Sequence, residues 1–396
     1  MKLVKILSIS ALASATVFFA CKQDSKQPTT STPETTPALP PAKPEVILFI
    51  TTVDKLNLRE EPNKNGKVIA QLAENAYLEG TGEVSANREE ATLRGLTWNE
   101  PYLKVSTTAP EPRTGWAYGG ALRRVYAGAR SNIPDLDKLS QLSSFLKTLN
   151  AKKLESGKKA WDYVNTNFAN ASGPLADAAF VLFEGFLRRM EGEGEFYKMT
   201  EKVTWVVEDY EAIADHKFDM NKYPESKSLA ENGFELAQGE GMVFPTADWN
   251  KLKSFFSPKV TPAMRAYLDQ QTFEQNEQAW DDGGIIISLE ELAARAAFWE
   301  KFNRENPYFL LTEETKQSEQ WTRLVLVNGA DNTPTYNYET QAIAEDFKKV
   351  WAYIQQKYPG TELAKTAKEI ADLCAAEGWK RTKKVEDWQT NFANKN

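Results

Sequence analysis

The chain has 396 residues, 41% of them apolar and 11% aromatic, enough for globular cores and too much for a disordered protein. A formal charge of −7 and a pI near 5.3 set it against phosphate backbones, so nucleic acid is excluded as a partner. There are two cysteines, Cys21 and Cys374, and one histidine, His216.

Lys2 and Lys5 precede an apolar run over residues 6–19 that is too short to cross a bilayer as a helix, and small Ala20 precedes Cys21. The stretch VFFAC resembles a lipoprotein signal cut before the cysteine, and Phe18 resembles the aromatic variant of Bacteroidetes-type lipoproteins. The resemblance implies that residues 1–20 are a signal peptide and that Cys21 carries the lipid that joins the protein to a membrane. Lys22 stands where an Asp would imply retention at the inner membrane, so the implied residence is the outer membrane, on either of its faces. If Cys21 is acylated, Cys374 has no disulfide partner. The spacing of Leu363, Ala367, Ile370, Ala371 and Cys374 puts that thiol on an apolar helix face.

Residues 21–45 are rich in Pro and Thr and nearly devoid of large apolar side chains, so they are expected to be a disordered tether. At ~3.1 Å per residue such a segment would reach roughly 70 Å.

Residues 46–127 change to short β-rich runs separated by turn residues: VILFITTV, LNLREEP, KVIAQL, AYLEGTGEV, WNEPYLKV and GWAYGGAL. LNLREEPNKNGKVIAQL, with Trp98, the LKV strand and the GWAYGGAL closure, resembles a bacterial SH3-like (SH3b) domain. Two departures stand out, a longer polar loop over residues 85–97 and the Asn99-Glu100-Pro101 insertion before Tyr102. The resemblance implies a small all-β barrel that recognises short peptides, cell-wall peptides among them, or neighbouring domains. Candidate ligand contacts are the aromatics Tyr77, Trp98, Tyr102, Trp116 and Tyr118, with Arg59 or Arg113 for a peptide carboxylate. Of these, Tyr102 and Tyr118 are expected at the surface and Trp98 and Trp116 in the core.

Residues 131–396 read as helices, with apolar residues at three- and four-residue spacing in LDKLSQLSSFLKTL, GKKAWDYVNTNF, PLADAAFVLFEGFLRRM, SLEELAARAAFWEKF, AIAEDFKKVWAYIQQ and ELAKTAKEIADLC. Ser288 with Glu291 resembles a capping box, and Asn328-Gly329 a helix stop. Junctions at Pro174, Pro224, Pro307 and Pro359 echo one another and resemble the turns of tetratricopeptide-like hairpins, at irregular spacing. The fold class expected is therefore multidomain, a small all-β SH3-like barrel followed by a larger all-α domain.

Catalytic motifs are scarce. His216 and Cys374 are far apart in sequence, no His/Cys-rich zinc spacing occurs, and neither a GxSxG elbow nor a phosphate-binding GK[ST] loop is present. No cofactor motif is recognisable. Carboxylates remain: Asp281 with Asp282, and Glu191, Glu193 and Glu195, which as flanking pairs could support glycan hydrolysis. The sequence points to a binder rather than an enzyme: a lipid-anchored cell-envelope protein recognising a cell-wall peptide or an envelope protein, its helical part a docking scaffold. A cell-wall hydrolase with a targeting domain and a helical subunit of an envelope assembly complex are the other classes.

Overall fold

The computed structural model describes residues 42–93, 96–107 and 112–395. Cys21, the signal and the tether up to residue 41 lie outside the described residues.

Seven strands come first: β1 Val46–Thr51, β2 Leu56–Arg59, β3 Val68–Leu72, β4 Tyr77–Leu93, β5 Leu96–Thr107, β6 Thr114–Tyr118 and β7 Leu122–Gly128. They form one antiparallel sheet in the order β3-β2-β6-β5-β4-β1-β7. The segment expected to be a polar loop over residues 85–97 is instead the outer part of a long β4–β5 hairpin, paired from Gly80↔Val105 to Leu93↔Leu96 with two register shifts. Its side chains are largely exposed, which explains why an apolar pattern did not mark it as strand.

The helical region follows with α1 Leu136–Thr148, α2 Glu155–Asn167, α3 Pro174–Glu193, α4 Tyr197–Thr200, α5 Val207–Ala214 and α6 Pro224–Glu231. A hairpin of β8 Phe234–Gly239 and β9 Met242–Ala247 leads to α7 Trp249–Phe256 and α8 Pro262–Asn276. A second hairpin, β10 Trp280–Asp281 with β11 Gly284–Ile285, precedes α9 Leu289–Glu305 and α10 Thr312–Asn328. The third, β12 Gly329–Ala330 with β13 Thr333–Pro334, precedes α11 Glu345–Lys357, α12 Glu362–Ala376 and α13 Lys383–Lys395. Local chemistry sets many boundaries. Pro174 and Pro224 open α3 and α6, Ser288 Oγ accepts from Glu291 N at the start of α9, and Gly329 at φ +73° ends α10.

A barrel followed by an all-α domain is not what these elements build. The helical region contains three β-hairpins, and the described residues from 42 to 395 belong to one compact unit. The physical reason begins with β1, whose six residues are all buried. Its alternate side chains serve two cores, because successive residues of a strand point to opposite faces. Ile47 and Phe49 enter a core internal to the sheet with Leu58, Leu78 and Val105. Val46, Leu48 and Ile50 enter a second core with α1, α2 and α3, where Leu142, Trp161, Phe180 and Phe183 are packed. Helix α3 is buried on nearly all sides because it lies in the middle of that core. Trp299 and Phe302 of α9 belong to the same core, and Leu292 and Ala296 of that helix belong to a third one with α11 and α12. Cys374 sits in this third core, fully buried, and burial pushes its thiol up to about 12.

Candidate functional site

The outer end of β5, the start of β7, the middle of α3 and the first turns of α10 converge around Trp98. Its half-buried indole lines three cavities, of about 110, 240 and 80 Å³. The largest opens between residues 97–100 and Arg188, Glu313, Glu314 and Gln317. Gly120, in the turn between β6 and β7, lets the chain approach the ring: a side chain there would meet Tyr118 at 2.7 Å and Trp98 at 3.0 Å.

Charge is dense in this cleft and most of it is tied down. Arg88 bridges two carboxylates, its Nη1 3.5 Å from Glu100 Oε2 and its Nη2 2.6 Å from Glu313 Oε2. Arg188 donates to Glu184 Oε1 from Nη2 at 2.6 Å and from Nε at 3.0 Å, and its Nη1 lies 3.9 Å from Glu314. Arg124 donates from Nη1 to Phe309 O at 2.6 Å and to Thr312 Oγ1 at 3.0 Å, tying β7 to the start of α10. Glu313 and Glu314 occupy the first turn of α10, where the helix dipole favours negative charge. Arg123 differs: its guanidinium lies 4.5 Å above the Trp98 ring, and among the described residues it donates only to Leu122 O, at 3.3 Å.

Glu100 is the perturbed acid of the site. Burial, then the like charge of Glu313, raises its carboxyl to about 7 against the opposing pull of Arg88. Burial lowers Arg123 and Arg124, partly offset by the nearby glutamates.

The aromatic candidates divide differently from expectation. Tyr102 and Tyr118 are buried, 4% and 8% exposed, while Trp98 and Trp116 are the half-buried pair. The tyrosines tolerate burial because their hydroxyls find acceptors. Tyr102 donates to Glu89 Oε2 at 3.1 Å, and Tyr118 donates to Glu89 O and Trp98 O, both at 2.8 Å. Burial and the Glu89 carboxylate push Tyr102 up to about 12. Tyr77 donates to Leu136 O at 2.9 Å and accepts from Ser140, joining the sheet to α1. Trp116 sits across from Lys104 in the β5–β6 register, with that ammonium 5.7 Å from its ring, and is not brought to Trp98. Arg59 and Arg113 donate to Gly66 O at 2.6 Å and Ile69 O at 2.8 Å, so backbone carbonyls hold them.

The acidic candidates of the helical region do not form pairs. Glu191 accepts from Ala247 N at 2.5 Å, Glu193 from Arg189 at 2.5 Å and Glu195 from Lys198 at 2.5 Å, each facing a different element. Asp281 accepts from Glu240 N at 2.9 Å, and Asp282 occupies the β10–β11 turn at φ +46°. His216 is exposed. Among the described residues no group of three or more His, Cys, Asp or Glu side chains could hold a metal ion.

Sequence reasoning missed Glu100, Arg123, Arg188, Glu313 and Glu314. The available signals were charges inside apolar elements: Arg123-Arg124 in a buried strand, Arg188-Arg189 in the buried α3, and Glu100 within the insertion before Tyr102. Comparison of the chain with models of known protein families, with curated proteins and with solved structures finds no match.

Proposed function

We propose that the protein is a binding protein of the cell envelope, joined to the outer membrane by lipid on Cys21, which grips a cell-wall peptide in the cleft around Trp98. One observation carries the reading: an accessible indole, stacked by a guanidinium, sits where three cavities meet between the sheet and the helices. An aromatic face with fixed polar groups around it gives a peptide apolar area and oriented hydrogen bonds. The carboxylates beside it support recognition over catalysis, because Arg88 engages Glu100 and Glu313 and Arg188 engages Glu184. That pairing holds charge in place and supplies no free nucleophile beside a base.

The test is co-sedimentation of the full chain with purified peptidoglycan sacculi. The protein should pellet with them, and Trp98→Ala should leave it in the supernatant. Wild-type protein that stays soluble would contradict the reading. A Cys21→Ser precursor that still partitions into membranes would contradict the anchor.

A further inference from the structure

Among the cations of the cleft, Arg123 and Arg124 lack an ion-pair partner among the described residues, and Arg124 is held instead by Phe309 O and Thr312 Oγ1. Arg88, Arg188 and Arg189 each have a carboxylate within ion-pair distance, and so does Lys147, at 2.8 Å from Glu74. Among the described residues Arg123 has none. Its guanidinium uses one face against Trp98 and gives one long bond to Leu122 O, which leaves most of its five N–H donors uncommitted. A half-buried cation in this state is a receptor for an anion that arrives from outside, since stacking on an aromatic ring leaves the edge of the fork free for a bidentate carboxylate.

The cavity beside it gives that anion a shape. Arg123 lines the cavity of about 110 Å³ between the sheet and helices α1 and α3, together with Ile50, Val181 and Phe186. Among the described residues Lys147 and Arg189 on its wall are paired with Glu74 and Glu193, so Arg123 is the cation that this largely apolar pocket leaves without an ion-pair partner. The volume exceeds the ~10–15 Å³ that one water needs and suits a few heavy atoms. Gly185 of α3 faces Arg123, and a side-chain carbon there would come within 3.9 Å of Nε.

We infer that this pocket takes the terminal carboxylate of a peptide ending in a small aliphatic residue, with Arg123 as its anchor. This rests on the binding role proposed for the cleft and names the part of the ligand that enters it.

Calorimetric titration of the full chain with N-acetyl-alanyl-alanine, its C-terminal amide and hexanoate tests the inference. The free acid should bind at least about tenfold tighter than the amide, the effect of a charge-assisted hydrogen bond. Arg123→Gln should bring the acid to the amide's affinity. Equal affinity of acid and amide for the wild-type protein, or no binding of the acid, would overturn the anion role without relying on any variant's folding. Hexanoate binding tighter than the peptide acid would overturn the peptide source in favour of a fatty acid. If sacculi still pellet the protein in a Trp98-dependent way while acid and amide bind alike, this inference alone fails; if sacculi do not pellet it, the binding role fails.

Discussion

Replacing Glu100 by Gln should make the protein more stable at neutral and alkaline pH, although it deletes a charge bound to an arginine. The carboxyl is 8% exposed and is held at about 7 in the folded chain, against an ordinary value of 4.5. The folded state therefore binds the proton more tightly than the unfolded chain. Stability from this group is fully present below pH 4.5 and is lost as the pH rises through 7. At 1.36 kcal/mol per tenfold change in proton affinity, the loss is roughly 3 kcal/mol. Glutamine keeps the shape and cannot ionise, and Arg88 retains Glu313 at 2.6 Å. Denaturant unfolding of both proteins from pH 4.5 to 8 should give curves that coincide within ~0.5 kcal/mol at the acid end and diverge by about 2–3 kcal/mol at pH 8, the variant above. Asp177 at about 6 and Glu235 at about 7 give slopes of the same sign in both proteins, so the difference isolates Glu100. Parallel curves, or a variant weaker at pH 8, would refute the reasoning.

Two more outcomes follow from packing. Gly233 stands at φ +89°, and a side-chain carbon there would lie 2.0 Å from Trp161 Nε1, so Gly233→Ala should cost more than about 3 kcal/mol, seen as a lowered denaturant midpoint. Ile50 is fully buried where β1 meets α1 and α3, and Ile50→Ala should cost about 2–5 kcal/mol. Helical circular dichroism and tryptophan fluorescence should then still report one shared transition, and two separated transitions would contradict the shared core.

Elements were legible where periodicity was strong. The six segments with helical spacing lie in α1, α2, α3, α9, α11 and α12, and the strand-like runs lie in β1 to β6. The layout was harder, because a short apolar run such as VILFIT reads as a strand of any small β-domain, and only contacts reveal that its two faces serve two cores. The polar β4–β5 hairpin has no buried face for most of its length, and so no alternating pattern to read. Trp98 was visible by type. Its partners were not, since Arg88 and Glu313 are 225 residues apart in sequence and meet only through the tertiary fold. Tyr102 and Tyr118 misled because a phenol looks like a surface group until its acceptor is seen.

Hydrogen exchange of the full chain, with and without soluble peptide fragments of the cell wall, tests the binding cleft most directly. Slowed exchange should concentrate in residues 97–101, 120–124 and 312–317, which surround the indole of Trp98. Slowing confined to the distant hairpin turns at residues 282–283 and 331–332, or no slowing at all, would contradict the placement of the binding site.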